Sequence, residues 1–568
     1  MGIFFINKKL KGERKMRIIF GMLIGMLIIS FSVIGQKYKI NNSKIIYESI
    51  SNKNCSTLEE ATETMTNQEG ITLHVKFDYN QFEFTEKLPL TATLEETRAY
   101  KRRLKEAGYS HHYDQNKKLV ESMGDIECEE LYVSKYSSFV DIEMTNEQFK
   151  ACSNDVLSKI SDNRFVDVIY VKEKVDKSKK DSLTNIINNA GGLEYYQNRT
   201  YTGEGINVGL LEIGVIDKDH QNLTNTSRKV RARLDNDLTD HATAMASIIA
   251  GSCGFAPDAR ILSVQLNGTP ADELDWLIDN DVDIINMSYG QGNPDGYYNS
   301  DSAYIDYMAY TYRLIIIGAV GNDDLLASNP GIGYNVFSVG AINSENDLQY
   351  YSSYMSNTGG NSPDVVALDE YTSLPYISTV MRGTSVSCAA VTGMVTMFLD
   401  AHPGYTVYPE MVYSSIAANA DDMNEDFYPA DLQNGYSDKV GAGRFNLKRM
   451  IVEPSLNEVE NTSNQENSIV RSIVVYLYEG QVFRASAYWM AKADGTVANT
   501  KMTNYDIRIY QMNNLLIGRS YGNSGNSELK RFVVPHTGNY RVTVYQVDKV
   551  TTNDHIGLSF RSISSSTN

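Results

Sequence analysis

The sequence predicts an α/β core on a parallel sheet, preceded by an α+β segment and followed by an all-β segment. Three observations carry this. Between about 200 and 451, short apolar runs at 208–211, 261–264, 284–287, 314–319 and 336–339 alternate with helical stretches. Such runs read as strands buried on both faces, which means parallel pairing with helical crossovers. Upstream, two capping boxes stand among alternating strands. Downstream of about 465, strand-like runs follow one another between glycines with no helical period.

The 568 residues fit about three or four domains. At 42% apolar and 21% charged residues, the chain can bury real cores. A net charge of −18 excludes a general nucleic-acid binder, which needs a basic face. The five cysteines, at 55, 128, 152, 253 and 388, are odd in number and widely spaced with no CxxC, which excludes a disulfide scaffold and a structural zinc site. Cys128 and Cys152 remain a possible bridge in an oxidising compartment.

Taken in order, Lys8, Lys9, Lys11, Arg14, Lys15 and Arg17 precede an apolar run at 18–34 that exits through Gly35. A basic start, an apolar middle and a small exit residue describe a secretory signal, expected over 1–35. An uncleaved anchor is the alternative, and membrane association would follow only from that. The α+β segment holds strands at 71–77, 139–142 and 165–171. A helix from Thr93-Leu94-Glu95-Glu96 runs through Lys105, and a second opens at Thr145 to Gln148. The lysine-rich stretch 172–181 reads as a linker. So does 453–467, before all-β runs at 473–478, 482–488, 505–510, 532–534 and 540–547.

Four segments of the α/β part carry chemistry. An apolar strand delivers Glu212 at its end. His241 opens a helix of small residues. A buried strand ends in Gly321-Asn322. Gly383-Thr384-Ser385 turns into an apolar helix. A serine hydroxyl needs a base to become a nucleophile, and histidine is that base near neutral pH. A carboxylate fixes the histidine tautomer and stabilises the imidazolium. The oxyanion needs preorganised donors, which an Asn amide and a helix N-terminal N–H supply.

The order acid, His, Asn, Ser, with gaps of 29, 81 and 63 residues, resembles the subtilisin-like serine proteases, or subtilases. The resemblance covers about 200–451. Supporting segments are Gly254-Phe255-Ala256-Pro257, Asp283-Ile284-Ile285-Asn286-Met287-Ser288-Tyr289-Gly290, Ser362-Pro363-Asp364-Val365-Val366-Ala367 and Lys439-Val440-Gly441-Ala442-Gly443-Arg444. It implies a three-layer subtilisin-like catalytic domain. Ser385 would be the nucleophile, His241 the general base, Glu212 the orienting carboxylate and Asn322 the oxyanion donor. Ser288, Tyr289 and Gly290, with Ala319, Val320 and Gly321, would line the peptide cleft. The resemblance extends to a propeptide-like α+β domain over 36–180 that inhibits the enzyme until cut away, a catalytic domain over 181–452 and a C-terminal β-sandwich over 465–568. The expected protein is a secreted, monomeric, self-processed endopeptidase acting on protein or peptide, with no cofactor and no metal.

Three departures bear on activity. The family has Asp where Glu212 stands, and Asp217 is a rival carboxylate five residues on. Ala242 and Ala244 replace the family's Gly and second His. Ala389 replaces its Pro, and Cys388 stands where it has a small residue, inviting a thiol-nucleophile reading that Ser385 at the turn outweighs. The departures leave two alternatives, a pseudoprotease that binds peptides without cutting them and a surface-binding protein that works through its β-sandwich.

Overall fold

The computed structural model describes residues 45–48, 71–173 and 200–563, less short breaks of which 150–156, 224–229, 370–380 and 429–434 are the longest. The expected secretory segment, Cys55, Cys152, Cys253 and nearly all of the 172–181 linker lie outside the described residues, and with Cys152 the proposed Cys128–Cys152 bridge.

The N-terminal part runs β1 (Ile45–Glu48), β2 (Ile71–Phe77), α1 (Leu94–Met123), β3 (Glu130–Val133), β4 (Phe139–Met144) and β5 (Val166–Glu173). The chain forms two compact units. The first takes residues up to Asp78 with 123–131 and 142–174, and the second takes 79–122, 132–141 and the rest. In the first unit β5 pairs parallel with β1 and antiparallel with β2. Ile71, Leu73, Val75 and Phe77 are all buried. The Thr145 box forms there, with reciprocal bonds between Thr145 and Gln148.

The second unit contains α1, whose Thr93 box closes as expected through Glu96. The helix passes the expected end at Lys105 and continues to Met123. Gly108 stands inside this helix, and the Tyr312 ring occupies the space a Cβ there would need. The glycine admits a close neighbour and does not end the helix.

The α/β body continues with β6 (Asn207–Glu212), β7 (Val230–Ala232), α2 (Asp240–Ala250), β8 (Arg260–Gln265), α3 (Ala271–Asp279), β9 (Ile284–Met287), α4 (Ser300–Tyr312), β10 (Ile315–Ala319), β11 (Phe337–Ile342), β12 (Val365–Leu368), α5 (Thr384–Ala401), α6 (Pro409–Asn419) and α7 (Leu447–Val452). Among the described residues, seven strands form one sheet in the order β12-β11-β10-β9-β6-β8-β7, parallel at every pairing. This is the α/β body on a parallel sheet that the sequence predicts. α5 is apolar and long enough to cross a bilayer, yet it lies in the core of the body, its residues from Val386 to Leu399 all buried.

The all-β part comprises β13 (Leu456–Asn461), β14 (Ser468–Leu477), β15 (Val482–Trp489), β16 (Tyr505–Gln511), β17 (Leu516–Ser520), β18 (Ser527–Val533), β19 (Gly538–Gln546) and β20 (Asp554–Ile563). Two four-stranded antiparallel sheets, β13-β20-β15-β18 and β14-β19-β16-β17, enclose one apolar cluster around Trp489, Tyr505 and Val542. The 453–467 linker expectation is corrected here. β13 falls inside it, pairing with β20 and burying Val459. Its polar residues hide the strand, which takes its order from a partner about 100 residues away.

This part is fixed to the α/β body by buried charge. Arg484 on β15 is 1% exposed. It donates to Asp422 (2.5 Å) and to the carbonyls of Ala417 (2.9 Å) and Ala442 (2.6 Å). Breaking a buried ion pair by removing one partner typically costs about 3–5 kcal/mol. Arg484→Ala is expected to destabilise by that order and to split one thermal transition into two, as read by calorimetry. A second expectation concerns Glu273 on α3, which burial pushes up to about pKa 8. A carboxyl raised in the fold stabilises at low pH and loses that contribution as pH rises through its folded pKa. The wild-type melting temperature should therefore fall relative to Glu273→Gln as pH rises from roughly 5 to 9.

Candidate active site

Glu212, His241 and Ser385 each stand at the end of an element. Glu212 is the last residue of β6 and is 1% exposed. His241 is the second residue of α2, whose N-cap Thr239 accepts from Ala242 N–H (3.2 Å). That cap starts the helix where it does, so the imidazole leaves from its first turn. His241 Nδ1 lies 3.2 Å from Glu212 Oε2. The other carboxylate oxygen, Oε1, is buried and has no hydrogen-bond partner. The rival Asp217 is bonded elsewhere. Its N–H donates to Thr243 (2.9 Å), and its carboxylate caps the N–H of Asp219 (3.0 Å).

Ser385 is the second residue of α5 and is half-buried. Gly383 before it has φ +132°, a conformation open to glycine at little cost. A Cβ there would also lie 3.4 Å from the Asn322 carboxamide. Asn322 follows β10 and is exposed. Its Oδ1 accepts from Thr384 N–H (2.8 Å) and from the Thr384 hydroxyl (3.2 Å). With Oδ1 engaged by Thr384, the amide nitrogen is the end left for a ligand. The N–H groups of the first helical turn lack intrahelical acceptors, and Ser385 carries one of them. The Ser385 hydroxyl, the Asn322 amide and the Ser385 N–H are therefore neighbours.

The Ser385 hydroxyl donates to the Ser288 carbonyl (2.7 Å). Ser288 Oγ donates back to the Ser385 carbonyl (2.8 Å) and receives Asn286 Nδ2 (2.9 Å). Asn286 Oδ1 accepts from Thr392 (3.0 Å) and the Cys388 thiol (3.3 Å). Sequence reading missed Asn286 and Thr384 as supports. Their only signal was proximity to Ser288 and Ser385 in the chain. Of the expected cleft residues, Ser288, Tyr289, Ala319, Val320 and Gly321 are buried, while Gly290 is exposed. Val320 N–H is taken by Val339 O (3.1 Å), so that peptide is committed to the body. Burial pushes the Cys388 thiol up to about 12, which leaves it a neutral donor unsuited to attack.

The subtilase family profile matches residues 140–444. The chain belongs to the subtilase family. It is 28% identical over 229 residues to subtilisin NAT of Bacillus subtilis subsp. natto, an alignment covering 36% of this chain and 58% of that protein. A thermostable alkaline protease of Halalkalibacterium halodurans is 26% identical over 228 residues, covering 37% of this subtilase and 61% of the relative. The subtilase thus spans about three fifths of the relatives it matches. Among solved structures, a prenylagaramide maturation protease superposes with a TM-score of 0.39 at 22% identity, covering 46% of this chain and 98% of that one.

In this subtilase the Cys388 thiol should resist alkylation at neutral pH in the native state and react only after unfolding, as peptide mass mapping with iodoacetamide would show.

Proposed function

We propose that the protein is a secreted serine endopeptidase that cleaves protein or peptide through an acyl-enzyme on Ser385. The observation that carries this is the buried Glu212 carboxylate against His241 Nδ1, in a body that also sets Asn322 beside the Ser385 turn. Rotation about the Ser385 side chain moves the hydroxyl from Ser288 O to His241 Nε2, which takes its proton as Oγ bonds to the substrate carbonyl carbon. Glu212 holds the imidazole with Nδ1 protonated and stabilises the imidazolium. Asn322 Nδ2 and Ser385 N–H donate hydrogen bonds to the oxyanion. His241 returns the proton to the leaving amine, and water then repeats the sequence on the ester.

Ser288-Tyr289-Gly290 and Ala319-Val320-Gly321 flank the cleft for an extended chain. The basic-then-apolar pattern of 1–35 supports export. The α+β segment over 36–180 serves as a propeptide-like intramolecular inhibitor, the linker after 173 as the self-cleaved site, and residues 456–563 as a C-terminal β-sandwich domain. The catalytic domain is 181–452, the protein is a monomer, and it engages no nucleic acid, cofactor or metal.

A second reading has its own observation. Ser385 Oγ is turned to Ser288 O, as a peptide-binding homologue that does not cut would show.

Intact mass of residues 36–568 separates the two readings. Wild type should lose its N-terminal covalent continuity between about 174 and 200, while Ser385→Ala stays whole. An active-serine phosphonate should label only wild type. If both chains stay whole and neither is labelled, the protease reading fails and the binding reading replaces it. Glu212→Gln is expected to lower kcat by about 10⁴-fold. Asn322→Ala should lower it by about 10²–10³-fold with KM little changed.

A further inference from the structure

Residues 79–122 and 132–141 belong to the same compact unit as the α/β body. Asp283, just before β9, has a side chain with no exposure at all, and it receives Arg98 through a close ion pair and Lys101 at 2.8 Å. Lys101 is itself buried and also donates to the Val282 carbonyl (2.9 Å). The same carboxylate accepts Asn207 N–H (2.8 Å) at the start of β6. It therefore staples the beginnings of the two strands that end at Glu212 and lead to Ser288, and its charge is balanced by α1.

A second buried acid repeats the pattern. Asp275 on α3 accepts from the Tyr132 hydroxyl (2.5 Å), the Ser134 hydroxyl (2.8 Å) and the Lys135 N–H (2.7 Å). The all-β part closes over the segment too. Gly495 carries φ +84°, and the Phe139 ring fills the place where a side chain would stand. Elsewhere the Tyr408 hydroxyl donates to the Leu88 carbonyl and the Tyr312 hydroxyl to the Tyr136 carbonyl (2.6 Å).

A releasable segment would leave behind a surface that water and salt can satisfy. Here departure breaks two ion pairs at one carboxylate and three hydrogen bonds at another, at groups buried while the segment is in place, and breaking such pairs costs more than breaking exposed ones. We infer that residues 79–122 and 132–141 are a permanent component of the catalytic body. A cut between 174 and 199 then yields a two-chain protein and not a freed propeptide. The inference builds on the self-processing reading and changes its product. Covalent continuity keeps residues 71–173 with the body whatever becomes of the linker.

The test does not depend on self-cleavage. In the Ser385→Ala chain, a recognition site for an external sequence-specific protease replaces part of 182–190, and the chain is cut there. Gel filtration in about 1 M salt, where the Debye length is about 3 Å, should give one peak holding both fragments, with buried pairs surviving the screening. Separate elution of the N-terminal fragment overturns the inference. Urea titration of the cut protein supplies the second arm. Arg98→Gln with Lys101→Met should lower the urea midpoint for fragment release, while Lys105→Ala, whose pair with Asp281 is more exposed, should leave it in place. Equal midpoints for the two variants would show that the buried cluster is not what retains the segment.

Discussion

Parallel pairing is the constraint from which the site follows. In the central sheet Leu210 of β6, Asn286 of β9 and Ile317 of β10 stand in one row, set by the pairing of β9 with both neighbours. All three strands run the same way, so their carboxyl ends reach one edge together. Ligand sites of open α/β sheets form outside those ends. Glu212, Ser288 and Asn322 emerge there two to five residues beyond the row. α2 and α5 begin nearby, which brings His241 and Ser385 in from first helical turns. Antiparallel pairing at any of these positions would send one contributor to the opposite edge.

The geometry is then locked by polar groups with few alternatives. Asn286 is fully buried. Two donors, Thr392 and Cys388, engage its carbonyl oxygen, so its nitrogen must point at Ser288. Ser288 in turn meets the Ser385 carbonyl. Thr384 does the same for Asn322, taking the amide oxygen and leaving the nitrogen outward. In both cases donors on α5 fix an amide on the strand side, so helix and sheet cannot slide past each other without breaking several bonds at once. Buried networks of this kind specify one arrangement because each member is costly to leave unpaired.

Much of this was legible in the sequence. Apolar runs fully buried in a parallel sheet are conspicuous, and β6, β8, β9, β10 and β11 all appear within a few residues of their expected places. Glu212 was separable from Asp217 because the apolar strand ends at the former. The misses share a cause. β13 has only Leu456 and Val459 as apolar residues, and β20 supplies the order that its own pattern lacks. α1 runs past Lys105 and through Gly108, which packs against Tyr312 about 200 residues away in sequence. The partners of Asp275 and Asp283 were not legible, since nothing near them in the chain reveals that their cations and hydroxyls come from 98–135. Long-range partners decide these cases, and periodicity does not report them.

The Glu212 side chain brings the two ends of the body into one argument. A glutamate is one methylene longer than the aspartate that the family resemblance leads one to expect, so its carboxylate reaches further from the same strand end. Here it lies within 3.2 Å of Nδ1 through one oxygen, while the other is buried without a partner. A buried carboxylate with one oxygen unpartnered depends on rigid surroundings, because any loosening lets it swing toward water and lose the histidine. The far end of the same strand is pinned, with Asn207 bonded to Asp283 and Asp283 to Arg98 and Lys101. A strand pinned at its start by a buried ion cluster is suited to hold a long, underbonded acid at its finish.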